Sequence, residues 1–252
     1  MDNKMTGTGQ EGSMADIGGY HLFYRLSGTK GDKPIVILEP GIGLTSKTWR
    51  HVEAGLAAFT SVLVYDRAGL GNSERGDQPQ HSKQIVANLR ALLTEAGIQP
   101  PYILVGHSFG GINVRLFANS FPEEVAGVIL VDTSHEDQEQ RMVPLLPESA
   151  QQVYYSQLSK EATHEEFLES FEQVRAVKSS LGDLPLYVIS AGKQEYHSEE
   201  SYRNWVQMHQ ELLQLSSRSK YFIAENSGHN IQKEQPEIII KAVEEMIGEL
   251  YL

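Results

Sequence analysis

Tyr102-Ile103-Leu104-Val105-Gly106-His107-Ser108-Phe109-Gly110 is the stretch from which the fold is read. The four-residue apolar run is that of a buried strand, and the glycine after it marks where the strand ends. A serine then stands between two glycines, the pattern G-x-S-x-G, where a strand passes into a helix. That turn is sharp, strains the backbone at its centre and holds the serine hydroxyl above the edge of a sheet. Gly106 and Gly110 are expected at points where a Cβ would collide with the neighbouring strand or helix. Ser108 should lie at the N-terminus of a helix beginning near Gly110, where backbone N–H groups face developing negative charge.

On either side the same alternation repeats. Strands are predicted at 22–26, 35–38, 62–65, 102–105, 128–131, 186–189 and 221–224. Several are nearly continuous in β-branched and aliphatic residues, as strands buried on both faces are. Helical spacing fills the gaps between them. Residues 82–96 put Ile85, Leu89, Leu92 and Leu93 on one face. A closing helix opens with Pro236 and turns Ile239, Val243, Met246, Ile247 and Leu250 inward. Strands alternating with helices predict an α/β fold, a mostly parallel sheet flanked by helices.

One segment breaks the alternation. Residues 137–184 carry no strand pattern, only charge-rich helical sequence such as 165–178, where Phe167, Leu168, Phe171 and Val174 fall at helical spacing. A long crossover packed on the sheet is one reading. A helical cap over the active site is the favoured one, because connections this long in compact domains are usually functional. The expected division is a flexible leader at 1–14, a core formed by 15–136 and 185–252, and a cap at 137–184.

Composition narrows the function. At 252 residues the chain has length for one large α/β domain or two small ones. Lys and Arg number 21 against 33 Asp and Glu, a net charge of −12. That balance argues against nonspecific binding to nucleic acid or to an anionic membrane. The absence of cysteine excludes disulfides, thiolate metal sites and a cysteine nucleophile. No stretch reaches transmembrane length, and residues 1–14 lack the apolar centre of a signal peptide, so a cytoplasmic location is the default expectation. His135-Glu136-Asp137 does not match H-E-x-x-H, and neither a metal nor any other cofactor is expected.

A serine hydroxyl needs a base to take its proton and a third group to orient that base. Of nine histidines, His229 is best placed, in Asn226-Ser227-Gly228-His229-Asn230 between the last predicted strand and the closing helix. His51, His81, His164, His197 and His209 read as solvated surface groups, and His107 as a supporting residue inside the turn. Two carboxylates compete to orient His229. Asp132 ends the strand 128–131, where an ionised carboxylate beside a buried strand needs partners. Glu195 follows the next strand, in a polar run that also reads as a solvated helix start. Asp132 is preferred and Glu195 stays as the alternative.

The order Ser, acid, His resembles that of the α/β-hydrolase family, and the resemblance runs from about Gly18 to the C-terminus. Asp66-Arg67-Ala68-Gly69-Leu70-Gly71-Asn72-Ser73 is similar to the family's D-x-R-G-x-G-x-S loop, departing at Ala68. Glu39-Pro40-Gly41-Ile42-Gly43 resembles the His-Gly turn of the oxyanion hole, with Pro40 in the His place. Carried over by position, the resemblance implies that the Ile42 and Phe109 backbone N–H groups hold the oxyanion. It implies a single α/β-hydrolase domain with an inserted helical cap, acting as a carboxylesterase-like serine hydrolase on a small-molecule ester. Two alternatives stand beside it. One is a ligand-binding signalling protein of the same fold with slow turnover. The other is an aminopeptidase-like hydrolase holding its substrate amine on Glu161, Glu165 or Glu166, although glutamate-rich helices are ordinarily solvated faces.

Overall fold

Runs of Val, Ile and Leu leave neither side of a strand suited to water, and the sheet they build is covered on both faces. The structure is a computed structural model that describes residues 11–29, 31–177, 180–193 and 196–251. Its strands are β1 (Ser13–Asp16), β2 (His21–Ser27), β3 (Ile35–Glu39), β4 (Val62–Tyr65), β5 (Tyr102–His107), β6 (Val125–Val131), β7 (Leu186–Ala191) and β8 (Ser219–Ala224). They form one sheet of order β1-β2-β4-β3-β5-β6-β7-β8. The β1–β2 and β2–β4 pairs are antiparallel, and every pair from β4 to β8 is parallel.

The α-helices among the described residues are α1 (Arg50–Leu56), α2 (Ser82–Glu95), α3 (Phe109–Ser120), α4 (Gln138–Arg141), α5 (Glu148–Leu158), α6 (His164–Ala176), α7 (Glu199–Leu212), α8 (Ile231–Glu234) and α9 (Pro236–Leu250). Alternate strand residues face opposite layers. Ile37, Leu63, Leu104 and Leu130 pack with Leu89 of α2, Phe117 of α3 and Phe171 of α6. Val36, Leu38, Ile103 and Ile129 pack with Val52 and Leu56 of α1 and with Val243 and Met246 of α9. No helix of the described residues is long and apolar enough to cross a membrane.

The sheet begins earlier than periodicity predicts. Ser13 and Met14, read as part of a leader, pair with Tyr24 and Phe23 in β1. The strand was hidden because Ala15 alone of its four residues is buried. Residues 1–10 lie outside the described part.

Among the described residues between β6 and β7 lie the helices α4, α5 and α6, and they behave differently. The α5 residues Ala150, Val153 and Tyr154 line the cavity above the elbow, as do Met142 and Leu146 before it. Helix α6 is instead packed into the core layer of α2 and α3, with Phe167, Phe171 and Val174 buried. Thr163 and Glu166 close a capping box at its N-terminus, which makes its start a built feature.

Candidate active site

The elbow forms where β5 meets α3. Ser108 has φ 52° and ψ −124°, a left-handed conformation costly for a residue with a Cβ. Its neighbours over-determine that strain. Its N–H donates to Val131 O at 3.1 Å, and its carbonyl accepts from Gly111 N at 2.9 Å and Ser134 N at 3.0 Å. A Cβ on Gly106 would meet Gly110 O at 2.6 Å, and one on Gly110 would meet Glu39 O at 2.5 Å. Both glycines therefore stand where only hydrogen fits. Helix α3 opens at Phe109, one residue earlier than expected, so the Phe109 N–H has no intrahelical acceptor.

Asp132 follows β6 directly, and the β5–β6 register sets His107 opposite Val131, which brings the carboxylate beside the elbow. Its backbone also lies in the left-handed region, at φ 38°. The side chain is buried and fully engaged. Oδ2 accepts from His229 Nδ1 at 2.7 Å, while Oδ1 accepts from Ala191 N at 3.0 Å and from Trp205 Nε1 at 3.2 Å. Burial acts to raise the pKa of this carboxyl. The hydrogen bond and charge of His229, with His209 and the Ala191 N–H behind them, outweigh burial and hold it below the ordinary carboxylate range. Glu195, the alternative acid, lies outside the described residues.

His229 is held by its own loop. His107 Nε2 lies 2.8 Å from the His229 carbonyl, and Gly228 N donates to Glu234 Oε2 at 2.8 Å. Burial, with His229 beside it, lowers the His107 pKa to about 3. A neutral ring that donates through Nε2 fits the supporting role read from the sequence.

Two histidines read as surface groups are not. His209 is fully buried, with Nδ1 at 2.6 Å from Ser190 Oγ and Nε2 at 2.9 Å from Thr133 O. His197 lines the cavity, and burial lowers its pKa. The missed signal lies in α7, where Trp205, Met208, His209 and Leu212 share the buried face at helical spacing. His51 and His164 are exposed, and His81 accepts from Gln84 N at the start of α2.

Ser108, Asp132 and His229 line one cavity of about 270 Å³, which Ile42 and Phe109 also line. Its remaining apolar wall is built by Met142, Leu146, Leu158, Phe167 and Trp205, and its polar wall includes Gln138, Tyr154 and Gln157. The Ile42 N–H has no acceptor among the described residues. In the neighbouring loop, Asp66 Oδ1 accepts from Ser46 N at 2.7 Å and Oδ2 from Asn72 N at 2.9 Å.

Glu161 departs from the sequence reading, since it is buried rather than solvated. Its carboxylate takes Arg67 Nε at 2.5 Å, Arg67 Nη2 at 2.7 Å and Gly43 N at 2.7 Å. Glu166 serves the α6 cap and accepts from Gln80 N at 2.9 Å, while Glu165 is exposed. The Glu161 carboxylate is thus already engaged by three donors.

Residues 34–167 match the family model of the alpha/beta hydrolase fold. Over 210 residues the chain is 30% identical to the uncharacterized protein YqjL of Bacillus subtilis (strain 168), covering 82% of this chain and 81% of that one. A thermophilic esterase from Thermogutta terrifontis has a TM-score of 0.69 at 19% identity, covering 96% of this chain and 100% of the other. The epoxide hydrolase CorEH has a TM-score of 0.66 at 17% identity, covering 95% and 99%. The chain belongs to the alpha/beta hydrolase family. The two solved structures differ in the bond their names say they cleave, so likeness to them carries the fold and leaves the reaction to the site.

Proposed function

We propose that this protein is a serine hydrolase that cleaves small, largely uncharged carboxylic esters through an acyl-enzyme on Ser108. The observation that carries the reading is the 2.7 Å contact between His229 Nδ1 and Asp132 Oδ2, in the cavity that holds the elbow serine. In this reading His229 takes the Ser108 proton as Oγ attacks the ester carbonyl. Asp132 keeps the imidazole in the tautomer whose Nε2 is free to do so, and stabilises the imidazolium that forms. The carbonyl oxygen becomes an alkoxide, held by the Ile42 and Phe109 N–H groups, each worth about 3 kcal/mol of barrier. Collapse expels the alcohol, which leaves with the proton from His229. Water, deprotonated by His229, then attacks the acyl-enzyme and releases the acid.

The nucleophile type favours acyl substrates. Serine attack on an epoxide or alkyl halide leaves an ether, which water at this site would not cleave, whereas an acyl-serine is hydrolysable. Met142, Leu146, Leu158 and Phe167 favour an uncharged acyl group on their side of the cavity, whose lining also includes Lys193 and Glu234. A cavity of about 270 Å³ suits a small-molecule ester. We read α4, α5 and the residues between them as the cap that shapes this space.

A panel of aryl esters of increasing acyl length, with Ser108→Ala as the blank, tests the reading. Many turnovers per molecule in the wild type and none in Ser108→Ala are expected, with a serine-directed phosphonate labelling Ser108 one to one. Release of a single equivalent followed by arrest would favour a ligand sensor. Turnover surviving in Ser108→Ala would remove the nucleophile.

A further inference from the structure

Arg67 is almost fully buried, and a buried guanidinium is costly unless each of its five N–H donors is met. Here each one is. Nη1 donates to Glu39 Oε1 at 2.7 Å and Pro40 O at 2.6 Å, Nη2 to Gly41 O at 2.7 Å and Glu161 Oε2 at 2.7 Å, and Nε to Glu161 Oε1 at 2.5 Å. Glu39 is itself fully buried and accepts from Tyr65 OH and from Asn113 Nδ2. Two main-chain carbonyls of the turn after β3 thus end on one cation, and Glu161 brings the segment between α5 and α6 onto the same turn through Gly43 N.

The second of those carbonyls matters most. Gly41 C=O and Ile42 N–H belong to one trans peptide unit, so they point in opposite directions. With the Gly41 oxygen held by Arg67 Nη2 and by Leu44 N at 3.1 Å, the Ile42 N–H is turned the other way. Turning that peptide over would set its N–H against the guanidinium and leave a buried donor of Arg67 unmet. The same guanidinium also lies 5.9 Å from the ring centroid of Phe109, whose N–H is the second proposed oxyanion donor.

Resting on the serine-hydrolase reading, we propose that Arg67, clamped by Glu161, is a positioning residue that locks the Gly41–Ile42 peptide with its N–H toward the nascent oxyanion. The helical segment between β6 and β7 is then part of the anion site as well as its wall. Stabilisation of the tetrahedral intermediate depends on a carboxylate that touches neither substrate nor Ser108.

The test compares the wild-type chain with Glu161→Gln and Arg67→Lys, using an aryl ester and a trifluoromethyl ketone that carries the same acyl chain. Ser108 Oγ adds to the ketone carbon, the C=O π pair goes to oxygen, and the serine proton goes to His229. The result is an anionic hemiketal oxygen where the ester intermediate would place its own. Glu161→Gln keeps the volume, but its NH₂ must face Arg67 Nε or else Arg67 Nη2 and Gly43 N–H. Lysine at 67 supplies three donors where five are used. Each variant is expected to lose about 10–100-fold in kcat/KM, short of the ~10²–10³ seen when an oxyanion donor is removed outright. KM should change by less than about threefold, and ketone affinity should fall in step with kcat/KM.

Rates are counted per folded site by phosphonate titration, beside a thermal melt. Wild-type kcat/KM in folded Glu161→Gln overturns the proposal, as does lost turnover with ketone affinity intact. If Arg67→Lys does not fold, Glu161→Gln decides alone. A wild type that neither turns over the ester nor binds the ketone removes the hydrolase reading and this proposal with it. A wild type that does both, matched by its variants, removes only this proposal.

Discussion

At 3% exposure Asp132 must stay ionised while aiming one oxygen at His229 and giving the other to Ala191 N and Trp205 Nε1. An amide cannot do both. In Asp132→Asn, an NH₂ facing Trp205 and Ala191 meets two donors, and an NH₂ facing His229 Nδ1 selects the wrong tautomer. The variant is expected to lose at least ~10²-fold in kcat with KM little changed. Steady-state kinetics at one pH, with an unaltered melting temperature, checks this. Glu195→Gln is expected to lose less than about tenfold, the limit below which a role in orienting the base is not needed. If it is the crippled variant, the acid lies after β7. The sequence offered both carboxylates because each follows a strand on the same sheet edge. Choosing between them needs the distance to His229, which depends on sheet register and on the left-handed turn at Asp132.

Among the elements, α6 separates packing from lining. Phe171 is buried against α2 and α3 and is not part of the cavity wall, whereas Phe167, equally buried, is. Phe171→Ala should therefore lose about 3–5 kcal/mol of stability and leave acyl-chain preference unchanged. Phe167→Ala should lose a similar amount and also shift preference toward longer chains, since its removal deepens the wall. A denaturant melt beside the ester panel resolves the two, and a chain-length shift in Phe171→Ala would contradict the assignment. The central strands were legible because 102–105 and 128–131 are continuous apolar runs, and α2 and α9 because their buried residues recur at helical spacing. β1 was not, having one inward residue. Glu161 was not either, because its neighbours Lys160, Thr163 and Glu165 read as solvent-facing. Burial of a single carboxylate comes from a partner 94 residues away in sequence, and no local pattern records that distance.

Across the whole molecule, buried neutral histidines couple folding to acid. Burial, aided by His229, lowers His107 to about 3, and burial lowers His209 as well. An unfolded chain would bind their protons near ~6.5, so below that pH the unfolded state takes up more protons than the folded one. For His107 that contribution is full above ~6.5 and is lost as pH drops toward 3, by up to ~1.4 kcal/mol per pH unit, and His209 acts in the same direction. Urea melts between pH 7 and 5 should show this slope, and His107→Asn should make it shallower whatever the variant's absolute stability. An identical slope would mean that His107 titrates normally in the fold.

Trp205, which forms part of the cavity wall while bonding to Asp132, has an optical consequence. The chain has two tryptophans, and Trp49 lies edge-on to His107 in the layer below. In Trp49→Phe a single indole is left to emit, and it stands against whatever fills the cavity. Its emission colour and lifetime should shift as an occupant displaces the neighbouring solvent. Candidate substrates could then be ranked by titration in a cuvette, unlabelled, before any product is detected.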